Sequence, residues 1–373
     1  MKKKILQICH GYSPPFGDVA RQWACLFDAK KYDLTTVFLT GEKSDLIANG
    51  VGGKVLFFEC SSKGLRGLKR KLVKRIRALH LQEQYNFCVA HRYKSIYLAL
   101  SVRGLKVVGV NHAYGVYDRW FRKALVVQKK NQLVLVGVSD AIRDDIRKAL
   151  PTFPPEKIQT IYNRINIESV KESQVDRLSA RAFLGVAGDG YIFGSVGRLH
   201  PDKDYQTLLA GFAKASEEIH DAHLVIIGQG GLESQLKSQV DALGISDKVH
   251  FLGFVKDAYR YYKAFDSFVL SSDHEPFGMV LLEAMAAGLP IAYSNCGGSP
   301  EVVGSLGISF EVNNPEKLSE ALLRLYSDQH SVECDQLDQL DQLDQRVSDY
   351  FSDEAVCDVF WGMPALKVLL SGD

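Results

Sequence analysis

The chain has 373 residues, of which 46% are hydrophobic and 24% charged, and its formal net charge is +1. This composition excludes general disorder, and the length suits two domains better than one core. The near-neutral charge offers no whole-protein argument for nucleic-acid binding. Because no apolar run approaches the roughly 18–20 residues of a spanning helix, we expect a cytoplasmic protein, at most peripheral on the cytoplasmic membrane face.

The cysteines and the first residues support the same compartment. Seven cysteines occur singly, without a CxxC pair or zinc-type histidine spacing, which indicates reduced thiols in the cytosol. In the opening MKKKILQICHGYSPPF, the apolar run is broken by Gln7 and ended by His10 and Gly11. This pattern predicts a first strand and not a signal peptide.

Short runs rich in Val and Ile alternate with longer amphipathic segments along the chain. Strands are predicted at KILQIC, LTTVFL, KVLFFE, NFCVA, KVVGVN and LVLVGVS, then at YIFGSVG, AHLVIIG, KVHFLG, DSFVLSS and LPIAYSN. Helix-like segments such as DVARQWACLFDA and DYQTLLAGFAKAS follow them. Apolar strands that alternate with helices are typical of parallel sheets covered on both faces. We therefore predict an α/β protein with two Rossmann-like, doubly wound domains facing across a cleft.

The two series of strands meet at the proline-rich segment PTFPPEKIQTIYNRINIES. This predicts one domain over 1–165 and another over 166–345. Within the second, 335–345 read DQLDQLDQLDQ, a repeat that is either a helix or a mobile loop and to which we assign no chemistry. The last residues, 346–373, predict an amphipathic helix that packs back toward the first domain.

Candidate ligand-binding residues follow the first strand of the second domain, where ligands of doubly wound sheets bind. There RLHPDKD places Arg198 and Lys203 five positions apart. The two cations suit a diphosphate, because Arg grips phosphate oxygens in a fork and Lys adds a point charge; a solvated pair is the alternative. A nicotinamide dehydrogenase is disfavoured, because HGYSPPFGD replaces GxGxxG after the first strand.

The segment HEPFGMVLLEAMAAGLP predicts a helix with Pro276 at its first position. The backbone N–H groups of Phe277, Gly278 and Met279 would then be free to hold an anion. Glu283 would lie about 9 Å further along the axis, and its carboxylate can accept from both hydroxyls of a ribose. Alternatively, this Glu reaches the surface or pairs with a buried Arg.

These motifs together resemble the retaining glycosyltransferases of the GT-B class, the fourth family of that classification. Its EX7E signature is matched by Glu275 and Glu283, and GRLHPDKD, VIIGQGGLESQL, VHFLGFV and CGGSPEVV follow the family's order. The resemblance covers nearly the whole chain, more specifically in its second half. It implies transfer of a sugar from a nucleoside-diphosphate sugar, with UDP favoured by family frequency, to an acceptor hydroxyl with retention of configuration. No metal and no cofactor are expected.

The resemblance also implies roles for residues of the second, nucleotide-sugar-binding domain. Arg198 and Lys203 would hold the donor diphosphate, Glu283 the ribose and Glu275 the donor sugar. The amides near Phe277–Met279 would hold sugar and phosphate. The remaining expected donor contact is the backbone that lines the base, near Phe254 and Val255.

In the first, acceptor-side domain, the resemblance places His112 close to the transferred sugar. His112 completes an expected catalytic set with Arg198, Lys203 and Glu275. Residues expected on the acceptor side are Gly17, His91 and Arg92.

Three departures from the family bear on acceptor binding and loop shape. The glycine pair of the first loop is reduced to Gly17, the junction Asn-Gly-Val-Asp is replaced by NRIN (Asn163–Asn166), and Asp204 stands where a small residue is common. The string Asp202-Lys203-Asp204 has the form of a DxD metal motif. Because it lies among the phosphate-binding cations, we expect no metal there.

A local basic segment covers residues 63–79. It has no acid, and its cations are Lys63, Arg66, Lys69, Arg70, Lys71, Lys74, Arg75 and Arg77. A basic amphipathic helix is typical of a membrane surface. A solvated helix whose leucines pack into the domain is the other interpretation, and the two are not exclusive. We expect a lipid-linked or otherwise anionic glycan acceptor, as in lipopolysaccharide or polysaccharide synthesis, and no nucleic acid, because interleaved aromatic residues are missing.

Two other functions stay open. A nucleotide-sugar epimerase of the same fold would act on the donor alone and would not need the basic helix. A non-catalytic nucleotide-sugar-binding partner is disfavoured by the intact candidate residues and favoured by the altered junction. The sequence leaves the sugar, the linkage and the oligomeric state open.

Overall fold

The structure is a computed structural model that describes residues 2–12, 16–61, 63–186, 188, 190–330 and 335–371. The chain divides into two compact units, which are Met1–Asn163 with Asp353–Asp373, and Arg164–Ser352. Each unit contains one sheet with parallel strands and intervening helices. Among the described residues, no helix combines the length and apolar character needed to span a membrane.

Unit 1 is built on seven strands: β1 (Lys3–Cys9), β2 (Tyr32–Phe38), β3 (Lys54–Phe57), β4 (Phe87–His91), β5 (Val107–Asn111), β6 (Leu133–Gly137) and β7 (Ile158–Thr160). They pair in the order β3-β2-β1-β4-β5-β6-β7. The helices are α1 (Phe16–Ala24), α2 (Asp45–Val51), α3 (Arg70–Glu83), α4 (Arg92–Leu100), α5 (Trp120–Gln128) and α6 (Asp140–Ala149). Every residue of β4, β5 and β6 is buried, as expected for central strands covered on both faces.

Unit 2 contains six strands: β8 (Tyr191–Val196), β9 (Ala222–Ile227), β10 (Val249–Phe251), β11 (Ser267–Leu270), β12 (Ile291–Ser294) and β13 (Ile308–Phe310). Their order is β10-β9-β8-β11-β12-β13. The helices are α7 (Ile167–Ser173), α8 (Arg177–Leu184), α9 (Tyr205–Glu218), α10 (Glu233–Leu243), α11 (Met279–Ala286), α12 (Ser299–Val303), α13 (Pro315–His330) and α14 (Asp335–Phe351). Short 3-10 turns connect elements of both units at Lys130–Gln132, Pro155–Lys157, Pro201–Lys203 and Ala258–Ala264.

Each sheet has one point where the direction of strand succession reverses. In unit 1 this point lies between β1 and β4, and in unit 2 between β8 and β11. The loops that leave the carboxyl ends of these strands diverge to opposite faces and open a crevice, where ligands of doubly wound sheets bind. The predicted α/β fold with two Rossmann-like sheets is confirmed.

The sequence does not predict two of the strands. Both β7 and β13 have three residues and lie at the edges of their sheets. A run of three residues is too short to show a period.

The DQL repeat forms part of α14, which selects the helix of its two predicted alternatives. The buried residues Leu343, Val347 and Phe351 line one side of α14, and the helix packs on α11. Arg346 donates to the carbonyl oxygen of Val302 over 2.7 Å. The repeat therefore belongs to a helix that packs against the rest of unit 2.

The single closing helix predicted for 346–373 is wrong, because the structure has the end of α14 followed by α15 (Asp353–Gly362) and α16 (Pro364–Ser371). Pro364 disfavours helical geometry at the residue before it, which separates the last two helices. Both belong to unit 1, where Trp361 Nε1 donates to the carbonyl oxygen of Leu26 over 3.1 Å. None of the six cysteines in the described ranges forms a disulfide.

Candidate functional site

In unit 2 the candidate residues converge on the crevice between β8 and β11. Arg198 follows β8 by two residues; its side chain is 72% exposed and one Nη lies 3.5 Å from Asp202. The turn that follows is tied to β11, because the hydroxyl of Ser271 donates to the carbonyl oxygen of Lys203 over 2.8 Å. The sheet therefore brings the loop after β8 against the loop after β11.

Lys203 and Glu275, 72 residues apart, form the centre of this crevice. Lys203 Nζ lies 2.6 Å from Glu275 Oε2, and the two side chains are only 16% and 8% exposed. The hydroxyl of Ser272 donates to the same oxygen over 3.2 Å. The protein alone thus satisfies the cation with a carboxylate, and an anionic ligand at Lys203 has to compete with Glu275.

The two aspartates of the DxD-like string have structural partners. Asp204 is the N-cap of α9, and its Oδ1 accepts from the amide of Thr207 over 3.3 Å. It adopts φ 43°, a region that Asp tolerates better than most residues. Asp202 faces Arg198. The departure at Asp204 is therefore explained by helix capping.

The helix that carries Glu283 begins later than the sequence predicts. It starts at Met279, and Gly278 precedes it with φ 97°, a conformation that a side chain would strain. Pro276 lies outside the helix, so the prediction of Pro276 at its first position is wrong. The free amides of α11 thus begin at Met279, about 6 Å along the axis from Glu283 at 1.5 Å per residue.

Glu283 has a partner that the sequence analysis does not identify. Its Oε2 accepts from the hydroxyl of Tyr262 over 2.9 Å. Desolvation by burial raises the pKa of Glu283 to about 7, against the hydrogen bond from Tyr262, which lowers it. Neither predicted alternative, a surface-reaching Glu or a Glu paired with a buried Arg, describes this contact. One neutral donor leaves the carboxylate with accepting capacity for a further ligand.

Glycines allow the loops of this crevice to lie backbone to backbone. A Cβ on Gly228 would lie 1.8 Å from the carbonyl oxygen of Gly197, and one on Gly298 would lie 2.7 Å from Cα of Phe277. The amide of Gly298 also donates to the carbonyl oxygen of Glu275 over 2.8 Å. No role is predicted for these glycines from the sequence, although GQGG directly after β9 and CGG one residue after β12 are the signal.

Phe254 and Val255 follow β10, on the next loop of the same sheet edge. The ring of Phe254 is 66% exposed, while Val255 is partly buried. The carbonyl oxygen of Gly253 accepts from the amide of Gly228 over 2.8 Å, which joins this loop to the one after β9. An exposed aromatic face therefore stands beyond the carboxyl end of β10.

In unit 1 the crevice between β1 and β4 contains a pair of histidines. His91 ends β4 and is buried, and its Nδ1 lies 3.2 Å from His112 Nε2, just after β5. On its other side, His91 Nε2 lies 3.3 Å from the Nε2 of Gln7 in β1. Trp23 packs edge-on against His91 with 5.3 Å between ring centres.

The neighbours of Gln7 determine which histidine nitrogens carry protons. The amide NH2 of Gln7 donates to the carbonyl oxygen of Ala20 over 3.1 Å, and its oxygen accepts from Thr36 over 3.3 Å. The amide nitrogen also lies 3.6 Å from Cys9 Sγ. Because this nitrogen only donates, His91 Nε2 at 3.3 Å faces it as an acceptor. His91 then carries its proton on Nδ1 and donates to His112, whose own proton lies on Nδ1.

Both histidines are neutral near pH 7. Burial, followed by the neighbouring His112, lowers the pKa of His91 well below its ordinary value. Burial, followed by the charge of Arg92, lowers the pKa of His112 to about 3. His112 therefore offers a neutral Nδ1–H donor, and within the described ranges no residue accepts from it.

The other acceptor-side candidates lie around the same crevice. Arg92 begins α4 at φ 67° and is exposed. Gly17 is buried in the first turn of α1, where a Cβ would lie 2.9 Å from the carbonyl oxygen of Tyr12. Residues 13–15 of this loop lie outside the described ranges. At the altered junction, the side chain of Arg164 is buried.

The basic segment differs from the predicted helix over 63–79. Helix α3 begins only at Arg70, because Gly64 and Gly67 precede it and Gly67 adopts φ 58°. Leu72 and Ile76 are buried, so the apolar face of α3 packs into unit 1. The expected packing of apolar residues of this helix into the domain is confirmed, and association with a membrane surface stays a prediction.

In the described ranges, no three His, Cys, Asp or Glu side chains are grouped as metal ligands.

Residues 176–342 match the family described as Glycosyl transferases group 1. An uncharacterized glycosyltransferase of Methanocaldococcus jannaschii is 34% identical over 200 residues, which are 52% of this chain and 51% of that protein. The lipopolysaccharide core biosynthesis glycosyltransferase LpsD of Rhizobium meliloti is 31% identical over 183 residues, 48% of this chain and 51% of LpsD. The chain thus spans about half the length of these curated relatives.

Solved structures share the fold over nearly the whole chain. A glycosyltransferase from Rickettsia africae has a TM-score of 0.84 at 16% identity and covers 99% of both chains. HepE of Anabaena, solved in complex with UDP and glucose, has a TM-score of 0.78 at 20% identity, over 96% of this chain and 98% of HepE.

Proposed function

We propose that this protein transfers a sugar from a nucleoside-diphosphate sugar to a hydroxyl of a cell-envelope glycan, because residues 176–342 match the group 1 glycosyltransferases and both units have the Rossmann-like sheets of the GT-B fold. The observation that carries the proposal is the Lys203–Glu275 ion pair, 2.6 Å long and mostly buried, at the reversal point of the unit 2 sheet. Its neighbours include the exposed cation Arg198 and the free amides of α11.

The donor diphosphate would bind between Arg198, Lys203 and the amides at Met279 and Val280. The guanidinium of Arg198 is exposed enough to close on phosphate oxygens in a fork. Once Lys203 turns to the diphosphate, Glu275 is left to accept hydrogen bonds from sugar hydroxyls. The ion pair of the free protein is thus replaced by contacts to both halves of the donor.

The nucleoside would lie along the same loops. Glu283 has accepting capacity for the ribose hydroxyls, and Phe254 with Val255 provides the surface for the base. A uridine donor is supported by HepE, which shares the fold and was solved with UDP.

For transfer, the acceptor hydroxyl would attack on the face from which the diphosphate leaves, and that phosphate would take the acceptor proton. The sugar then keeps its anomeric configuration. Negative charge grows on the diphosphate as the bond breaks, so Arg198, Lys203 and the start of α11 stabilise the transition state more than the bound donor. These positive groups would serve without a metal ion. His112 would donate its Nδ1–H to the transferred sugar.

The acceptor is proposed to be an anionic or lipid-linked envelope glycan. The match to LpsD, a lipopolysaccharide core biosynthesis enzyme by name, and the basic segment 63–79 of unit 1 support this class. A peripheral position on the cytoplasmic membrane face follows from such an acceptor.

The proposal is tested by nucleoside diphosphate release from UDP-, GDP- and ADP-sugars, with and without EDTA and a membrane-glycan extract. We expect release from one donor, stimulated by the extract and unchanged by EDTA, and at least tenfold slower release by Arg198→Ala. Epimerised donor without an acceptor would indicate the alternative enzyme. Tight nucleotide binding without turnover under every condition would indicate a silent binder.

A further inference from the structure

Among the large apolar side chains that unit 1 exposes, three lie on neighbouring elements. Trp120 is 78% exposed, Phe121 45% and Leu68 63%. Trp120 and Phe121 form the first turn of α5, with their ring centres 6.1 Å apart. Leu68 lies in the loop before α3. Isolated exposed apolar residues are common, but grouped ones of this size indicate an interaction surface.

Cations and tyrosines connect these residues into one surface. The carbonyl oxygen of Leu68 accepts from the hydroxyl of Tyr97 over 3.0 Å, and Lys69 Nζ stands 4.6 Å from the centre of the Tyr97 ring. One turn earlier on α4, the Tyr93 ring lies 4.7 Å from the guanidinium of Arg122.

The charges that act on Lys69 come from the same group of residues. Burial is the main cause that lowers the pKa of Lys69, and the charges of Lys94 and Arg122 add to it. We call the residues of this surface the Trp120 patch; they are Leu68, Lys69, Lys94, Trp120, Phe121 and Arg122.

The Trp120 patch is continuous with the crevice that contains His112. Lys94 and Arg92 both lie close enough to His10 for their charges to lower its pKa, after burial as the main cause. Arg92 also acts on His112. Cations therefore extend from the patch to the candidate acceptor side of unit 1.

Charge and apolar character together favour one partner. Lys and Arg near a bilayer surface are attracted to anionic lipid by about 1 kcal/mol each, and Trp is enriched where a chain meets the membrane interface. A soluble anionic ligand would satisfy the cations but would leave Trp120, Phe121 and Leu68 in water. An anionic bilayer satisfies both groups.

We propose that the Trp120 patch docks on an anionic lipid bilayer, with Trp120, Phe121 and Leu68 entering the interface. The apolar contacts then come from α5 and the loop before α3, and not from α3, whose Leu72 and Ile76 are buried in the unit. Docking through this patch would present a lipid-linked acceptor to the crevice of His112, and this consequence rests on the proposed function.

The fluorescence of Trp120 provides a specific test with the full chain. The chain has three Trp residues; Trp23 is buried, and Trp361 stacks on Tyr32 with 5.0 Å between ring centres. Vesicles with phosphatidylglycerol should shift the emission to the blue, and lipids brominated on their acyl chains should quench it. Both changes should disappear in Trp120→Phe.

Vesicle flotation measures the affinity. Replacing Trp120 and Phe121 by Ser should reduce binding to phosphatidylglycerol vesicles at least tenfold, and pure phosphatidylcholine should bind at least tenfold more weakly than the anionic vesicles. The matched control replaces Leu178 and Phe183, which are 80% and 62% exposed on α8 of unit 2, by Ser and should bind like the wild type.

Unchanged binding of the Trp120 and Phe121 variant would overturn the proposal, as would equal binding to neutral vesicles. Emission that shifts without quenching by brominated lipid would also overturn it, because the side chain would not enter the bilayer. Donor hydrolysis is measured in parallel. Vesicle binding without donor turnover would contradict the proposed function alone, and turnover without patch-dependent binding would contradict the docking proposal alone.

Discussion

The ionised carboxylate of Glu283 lowers the folding stability of the ligand-free protein, and its replacement by Gln should remove this effect. Burial raises its pKa from the ordinary 4.5 to about 7, a difference of about 2.5 units, or about 3 kcal/mol at 1.36 kcal/mol per unit. Below pH 4.5 the group is protonated in both the folded and the unfolded chain. Between pH 4.5 and 7 the unfolded chain loses this proton first, so the folded state becomes less stable as the pH rises.

The perturbation is therefore Glu283→Gln, which keeps the size and the contact with Tyr262 and removes the charge. The stability of the variant relative to wild type should increase by about 3 kcal/mol between pH 4.5 and pH 8. Urea unfolding of unit 2 at several pH values measures this difference. Glu217→Gln, at an exposed position of α9, is the control and should follow the wild type.

Binding supplies the second half of this prediction. The same variant should bind the nucleoside diphosphate more weakly, because an amide oxygen accepts less strongly from two ribose hydroxyls than a carboxylate does. Calorimetric titration measures the affinity. A stability difference between wild type and variant that is equal at pH 4.5 and pH 8 would refute the reasoning, because Glu283 would then be ionised in the fold without penalty.

Three further predictions concern other positions. Arg198→Ala should lower kcat roughly a hundredfold, as loss of one oxyanion donor does, while the acceptor KM changes little. Steady-state kinetics on both substrates measure this, and a rise in the acceptor KM alone would contradict it. Gly228→Ala should destabilise unit 2 by about 3 kcal/mol or more, because its Cβ would lie 1.8 Å from a carbonyl oxygen. At the control position Gly231, an added Cβ meets nothing within 4 Å, so Gly231→Ala should leave the stability nearly unchanged. Urea unfolding measures both. Gln7→Leu removes the donor that fixes the tautomer of His91. 15N NMR should therefore find His112 protonated on Nδ1 in the wild type and as a mixture of the Nδ1 and Nε2 tautomers in the variant. His112 protonated on Nε2 in the wild type would contradict the hydrogen-bond assignment.

The sequence locates the donor-side candidates relative to the strands and helices, because the signals are local, while their roles in donor binding stay predictions. Arg198 and Lys203 lie within seven residues after the end of β8. Pro276 and Gly278 mark the start of α11 at Met279 to within three residues. The exact start is missed because Gly278 takes a positive φ that a sequence pattern does not reveal.

Partners from distant segments are not predictable in the same way. Tyr262 reaches Glu283 from a 3-10 turn, and Gln7 reaches His91 from another strand, so both contacts depend on the packed sheet. Trp120 and Phe121 are also missed, because aromatic residues in an amphipathic segment usually indicate a core face. Only their exposure in the structure identifies them as surface residues.

The central claim is sugar transfer that depends on the crevice of unit 2. Its most direct measurement is mass spectrometry of glycans from a membrane extract incubated with the donor and either the wild-type protein or Lys203→Ala. The account predicts glycans heavier by one sugar residue with wild type, present without added metal, and at least tenfold less of them with the variant. Glycans of unchanged mass, with the donor bound and recovered intact or epimerised, would contradict it.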